Sequence, residues 1–326
     1  MKLQKDDLSA NRRMTVGELK CNYLVNPLGV ETPQPRLSWM LKTDERGQRQ
    51  TAFRVLVASS REVLDRKKGD IWDSGKVLSD QSIHVVYGGK RLLSRQGCHW
   101  TVQVWDKDDK VCPRSQPAYW EMGLLNPSDW HAQWISSSRI GIEPSNPPPA
   151  PMFRRTFLLK KQIASARAYV CGLGYYELYI NGHKIGDEVL APAFTRYDAR
   201  VFYQTHDVTN AIVQGENAIG VILGNGWYNC FTKEVWNFQQ SPWRDQPKLL
   251  IQIHIRFVDG AGTIIVSNRS WRWSTGPIVF DGLRNGETYD ARLEKSGWAE
   301  PGYDDSDWKD VMVIQSPGGV LRSQQM

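Results

Sequence analysis

The chain has 326 residues, a formal net charge of +6, 40% hydrophobic and 23% charged residues. That length suits about two domains with real cores, and the composition is ordinary for a globular protein. Basic residues are interleaved with acids, with Asp65 to Lys68 the densest run, which excludes a nucleic-acid-binding tract.

Read in chain order, the opening MKLQKDDLSANRRM has no apolar stretch, so no signal peptide is expected there. No run of about 18 apolar residues exists to span a membrane. The compartment stays open between cytoplasm and, with a leader removed, periplasm or exterior. The stretch AFRVLVAS predicts a strand with Phe53, Val55 and Val57 on one face. Next comes SSREVLDRKKG, the best helical candidate, with Ser59 and Glu62 as a capping box and Gly69 as its stop. In HWTVQVWD, Trp100, Val102 and Val104 share one face, opposite Thr101, Gln103 and Trp105. A proline-rich loop follows, with Pro147, Pro148, Pro149 and Pro151. YELYINGHKIG predicts a hairpin whose Asn181-Gly182 pair suits a two-residue turn with both φ positive. A short turn is expected at VTNAIVQGEN. NAIGVIL is a strand with Ile219, Val221 and Leu223 together. In LLIQIHIRFVDGAGTIIVSN, Leu249, Ile251, Ile253, Ile255 and Phe257 alternate with Gln252, His254 and Arg256, and DGAG turns the chain back.

Recurrent strands with turns between them predict an all-β protein built of sandwiches. The fold expected is a fibronectin-III or immunoglobulin-like sandwich over 17–126, then a larger jelly-roll-like β-sandwich over 127–316, with tails at 1–16 and 317–326. Five scattered cysteines, without CxxC or zinc spacing, predict buried free thiols. Six dispersed histidines form no HExxH, the GxG of CGLGYY lacks the dinucleotide spacing, and no GxSxG is present.

Most of the fourteen tryptophans are expected in cores or at sandwich edges, and the composition also favours carbohydrate contact, because indole faces stack on sugar rings. GNGWYNCF, residues 224–231, raises the choice most sharply. Three aromatics crowd a glycine–asparagine turn at the end of NAIGVIL, and sandwich turns lie at the ends of the sheets. Trp227 and Tyr228 either plug that end or offer a flat face outward. In PGYDDSDWKD, Asp304, Asp305 and Asp307 read as a carboxylate pair, a calcium loop or a capped turn. Glu287 and Asp290 in ETYDAR read as pocket or interface acids, or as partners of Arg292.

The first block carries CNYLVNPLGVETPQPRLSW, RGQRQTAFRVLVASS, IWDSGKV, HWTVQVWDKD and AYWEMGLL. Together these resemble the N-terminal fibronectin-III-like domain of bacterial α-L-rhamnosidases. The second block carries VCGLGYYELYINGHKIGDEVLAPAFTRYDARVFYQTHDVT, GENAIGVILGNGWYN and NGETYDARLEKSGWAEPGYDDSDWKDV, and resembles the β-sandwich that follows it in that family. In the family an (α/α) barrel of several hundred residues follows and holds the catalytic carboxylates. Too little helical pattern is present for a barrel, so no catalytic residue is assigned here. The resemblance implies a non-catalytic portion that supports that catalytic domain and binds L-rhamnose-containing glycans; the rival is a protein-interaction module without sugar binding. It also implies an aromatic platform with amide or acidic partners, assisted in some members by calcium. The candidate residues are Trp227, Tyr228, Asn225, Asn229, Tyr203 and Asn181, with Asp187 as the calcium ligand.

Overall fold

The computed structural model describes residues 14–137, 148–233 and 236–325. Most of the expected N-terminal tail, and Pro147 of the proline-rich loop, lie outside the described residues. The chain divides into two compact units, Met1–Asn126 with Gln325–Met326, and Pro127–Gln324.

The first unit carries β1 (Thr15–Cys21), β2 (Arg36–Lys42), β3 (Ala52–Ala58), α1 (Arg61–Asp65), β4 (Trp72–Asp73), β5 (Val77–Leu78), β6 (Val85–Val86), β7 (Gly97–Trp105) and β8 (Ala118–Glu121). One sheet runs β1-β2-β6 and the other β4-β3-β7-β8, with β5 also on β3. β3 and β7 are antiparallel, with Val55 opposite Val102 and Val57 opposite Trp100. Period-two alternation therefore sends Phe53, Val55, Val57, Trp100, Val102 and Val104 into one core with Trp39 and Trp120. Burying the Trp39 ring also buries its indole N–H, which donates to Gln50 Oε1 at 3.0 Å. On the far side of β3, Leu56 and Ala58 meet Leu64 of α1.

That helix differs from its expected cap by one residue. The cap is Ser60, whose hydroxyl accepts from Val63 N–H at 3.3 Å. Ser59 is taken elsewhere: its hydroxyl donates to Asp70 Oδ2 at 2.6 Å and its N–H to Asp70 Oδ1. The helix ends at Asp65, well before Gly69.

The second unit carries β9 (Ile135–Ser136), β10 (Pro151–Leu159), β11 (Ile163–Leu173), β12 (Tyr175–Ile180), β13 (His183–Ile185), β14 (Arg200–Asp207), β15 (Gly215–Gly224) and β16 (Lys248–Phe257). It continues with β17 (Gly262–Val266), β18 (Arg272–Thr275), β19 (Ile278–Gly282), β20 (Gly286–Tyr289), β21 (Lys309–Asp310), β22 (Met312–Val313) and β23 (Val320–Ser323). A six-stranded sheet, β13-β12-β15-β10-β18-β21, faces a sheet of order β22-β9-β16-β11-β14-β23, which also carries β17. Ile219, Val221 and Leu223 of β15 meet Leu249, Ile251, Ile253 and Ile255 of β16 in the shared core.

Two features depart from the strand pattern read in sequence. Gln252 and His254, on the polar face of β16, are buried because the chain crosses above them: Gln252 accepts from His131 N–H at 2.8 Å and donates to the Asp129 carbonyl at 2.9 Å. Residues 317–326, expected as a tail, contain β23, which pairs in parallel with β14 from Arg200↔Val320 to Tyr203↔Ser323. The fold is nearly all β, and α1 is the sole α-helix among the described residues. No helix is long and apolar enough to cross a membrane among those residues. All five cysteines are buried and free.

Candidate functional site

The six-stranded sheet delivers the turn at 224–231. Asn225 follows β15 directly and its N–H donates to Asp281 Oδ1 at 2.7 Å, while its side-chain amide donates to Asp281 Oδ2 at 2.9 Å. Its carbonyl accepts from Asn229 N–H at 3.0 Å, closing a helical turn, and its side-chain oxygen accepts from Asn229 Nδ2 at 2.6 Å. Arg244 Nε donates to Asn229 Oδ1 at 3.3 Å. Asn225 and Asn229 are thus buried and spent on holding the turn. Their expected place at a sugar differs from the buried position the structure gives them.

Asp281 sits on β19, opposite Glu287 of β20. Burial, reinforced by Glu287, pushes its carboxyl up to about 6, against the opposing pull of the Asn225 donors. The β19–β20 hairpin is anchored by this carboxyl, by the Phe231–Phe280 ring contact at 5.7 Å and by the Thr232–Asn285 hydrogen bond.

The three aromatics of the turn separate. Tyr228 is fully buried against Tyr197 at 5.1 Å, so it is a plug rather than a platform. Trp227 is half-buried, edge-on to Phe238 at 5.2 Å and Phe194 at 6.0 Å. Phe194 and Trp236 are exposed beside it. Arg284, at the tip of the hairpin, lies over both indoles, 5.6 Å from Trp227 and 5.4 Å from Trp236. Trp227 therefore belongs to an aromatic surface that ends the sandwich.

The remaining candidates lie elsewhere in the unit. Tyr203 is fully buried between Trp130 at 5.1 Å and Tyr169 at 6.1 Å, which removes it as a surface contact. Asn181, at φ 50 with Gly182 at φ 82, makes the expected hairpin turn. Its amide donates to Ala211 O and Asn217 Oδ1 and accepts from Ala218 N–H, so it is a structural staple. Asp187 is exposed after β13. No group of three or more His, Cys, Asp or Glu side chains that could hold a metal ion occurs among the described residues. Asp290 caps a short turn and pairs with Arg292 at 2.6 Å. Asp304 accepts from Ser306 N–H, and Asp305 pairs with buried Arg154.

On the other side of the hairpin lies a cleft of about 830 Å³. Its floor is the outer face of β12, where Tyr175, Glu177 and Tyr179 alternate with the core residues Tyr176, Leu178 and Ile180. Asp281, Glu287 and Tyr289 form one wall, and Trp298 closes one end. Trp298 stacks on Trp308 at 6.2 Å and meets Tyr179 edge-on at 5.5 Å. It passes directly over Gly220, where a Cβ would lie 2.5 Å from its ring. Arg154, 1% exposed, holds this segment by donating to Trp298 O at 2.7 Å and Glu300 O at 2.8 Å while pairing with Asp305. Asp281, Trp298 and Arg154 were not singled out from sequence; the WxxPGYDD spacing was the available signal for Trp298 alone.

These features define a tandem of β-sandwiches, with a concave face and an aromatic end on the second member. The α-L-rhamnosidase N-terminal domain family matches residues 161–326, and the Rha78A-like N-terminal immunoglobulin domain matches residues 16–126. The chain belongs to the α-L-rhamnosidase family and corresponds to its N-terminal region. An α-L-rhamnosidase of Formosa agariphila is 36% identical over 326 residues, covering 93% of this chain and 34% of that protein. The solved α-L-rhamnosidase from Dictyoglumus thermophilum superposes with a TM-score of 0.87 at 41% identity, covering 95% of this chain and 35% of that one. A Streptomyces avermitilis α-L-rhamnosidase, solved in complex with L-rhamnose, gives a TM-score of 0.83 at 26% identity over 94% of this chain and 45% of that one. The chain thus spans about a third of the length of the first relatives it matches.

Proposed function

We propose that this chain is a non-catalytic part of an α-L-rhamnosidase that supports the catalytic domain and holds rhamnose-containing glycans. The observation that carries the reading is the aromatic end around Trp227, half-buried beside exposed Phe194 and Trp236 and fixed by the Asn225–Asp281 clamp. A half-buried indole beside exposed Phe194 and Trp236 offers aromatic surface to the C–H groups of a pyranose. The Streptomyces avermitilis relative, solved with L-rhamnose, lends the ligand class. Of the sequence candidates, Trp227 is the contact residue; Tyr228, Asn225 and Asn229 lie beneath it as its support. Asp187 has no cage of carboxylate, histidine or cysteine partners among the described residues.

Calorimetric titration with L-rhamnose and a rhamnose-containing oligosaccharide, with calcium and with EDTA, tests the reading. Binding is expected, with Trp227→Ala abolishing it at an unchanged thermal midpoint. Equal affinity in Trp227→Ala would remove the platform. No turnover of p-nitrophenyl α-L-rhamnopyranoside is expected; hydrolysis by the purified chain would refute the non-catalytic part. The rival role, a protein-interaction module, draws on exposed Val189 at 79% and Leu190 at 64% beside the cleft. Glycan-array silence together with a tight protein partner would favour it.

A further inference from the structure

We propose that the sugar taken at the Trp227 end carries an anionic oxygen group, the carboxylate of a hexuronate or a sulfate ester. This rests on the glycan reading above and names the chemical class of that ligand. The first observation is Arg284. Its guanidinium lies over Trp227 and Trp236, both within 5.6 Å of the ring centroids, and its residue is exposed. The guanidinium makes no hydrogen bond or ion pair with a described residue. A guanidinium over two indoles without a hydrogen-bond partner matches the two oxygens of a carboxylate or sulfate.

The second observation lies behind Phe238, which touches both Trp227 at 5.2 Å and Trp243 at 6.3 Å. Here Trp243 Nε1, Arg244 Nη2 and the Tyr228 hydroxyl are buried without a hydrogen-bond partner. Tyr228 is fully buried. Trp243 Nε1 and Arg244 Nη2 can only donate, against a single unpartnered obligate acceptor in the same cluster, Gln239 Oε1; the Tyr197 and Tyr228 hydroxyls serve either way. Donor excess inside a buried cluster favours an acceptor-rich, negatively charged guest. Asp245, the acid that acts on Tyr228 among the described residues, is already paired with Lys248 at 2.8 Å. Asp281 points to Asn225, on the cleft side of the hairpin with Glu287. The hairpin thus separates a basic, aromatic end from an acidic cleft.

The test is calorimetry with a rhamnosyl-glucuronic acid disaccharide, its carboxyl-reduced rhamnosyl-glucose counterpart, methyl α-L-rhamnoside and methyl α-L-rhamnoside 3-sulfate. Arg284→Gln and Arg284→Lys change an exposed side chain and are compared with the parent. The acidic disaccharide is expected to bind about tenfold more tightly than its reduced counterpart, the scale of one charge-assisted hydrogen-bonded pair. That preference should shrink with added salt, vanish in Arg284→Gln and persist in part in Arg284→Lys. A preference for the sulfate alone would assign the anion to a sulfate ester. Equal affinity for the acidic and reduced disaccharides, or a preference unchanged in Arg284→Gln, overturns the inference while leaving glycan binding intact. Silence with all four saccharides overturns both.

Discussion

Replacing Arg154 with methionine removes a buried side chain that, with Arg272 of β18 donating to the carbonyls of Asp305, Ser306 and Trp308, ties the cleft-closing segment to the six-stranded sheet. Arg154 leaves β10 with 1% of its surface exposed. It donates to the carbonyls of Trp298 and Glu300, at 2.7 and 2.8 Å, and forms an ion pair with Asp305. Methionine preserves most of the packing volume but leaves a partly buried carboxylate and two carbonyls without donors. Breaking a buried pair from one side costs about 3–5 kcal/mol, most of it the uncompensated charge. Each orphaned carbonyl adds roughly 1 kcal/mol where water does not reach it. Arg154→Lys keeps the charge and one or two contacts, so about half of that loss is expected. Urea unfolding gives the total, and hydrogen exchange read by mass spectrometry locates it. Residues 298–308 and strands β10, β18 and β21 should lose protection, while β3 and β7, in a separate core, should keep theirs. A loss below about 1 kcal/mol, or equal loss of protection in β3 and β7, would refute this account of the segment.

Three further expectations follow from single residues. The Asp281 carboxyl, raised from 3.8 to about 6 by burial, favours the folded state when protonated. Its contribution is therefore full below pH 4 and is lost as pH rises to about 6, by at most roughly 3 kcal/mol. Asp281→Asn should gain relative to the parent over that window in pH-dependent urea melts; a pH-independent difference would contradict the assignment. Gly182→Ala places a side chain at φ 82, with its Cβ 2.9 Å from Glu300 Cγ. A loss of about 1–2 kcal/mol by thermal melting is expected, and no loss would argue against the turn geometry. Tyr228→Phe deletes a buried hydroxyl that lacks a partner, so unliganded stability should change by less than about 0.5 kcal/mol or rise; a loss above about 1.5 kcal/mol would reveal an unseen partner.

How far the sequence was legible depended on how local the cause was. Val102 and Val104 advertise their strand through period-two alternation, and Asn181-Gly182 announces its turn through the φ values those residues tolerate. The cap of α1 slipped by one because Ser59 and Ser60 are chemically equivalent, and only Asp70, eleven residues from Ser59, decides between them. Tyr203 was a candidate for its neighbourhood to the turn, and nothing within VFYQTHD tells whether another segment covers it. Trp130, more than seventy positions earlier, does so. Asp281 was invisible for a similar reason: it becomes part of the site only when the β19–β20 hairpin folds back onto Asn225, 56 residues away. Trp227 was legible as an aromatic at a turn, but its split from Tyr228 follows from which ring the Tyr197 side receives.

The claim at the centre is that a glycan rests on Trp227. Side-chain indole resonances of ¹⁵N-tryptophan-labelled protein, followed during titration with a rhamnose-containing oligosaccharide, address it directly. The Trp227 resonance, assigned by its disappearance in Trp227→Phe, should move in a saturable way, with buried Trp100 and Trp120 unmoved. A spectrum in which the Trp227 signal stays fixed at saturating glycan would contradict the account.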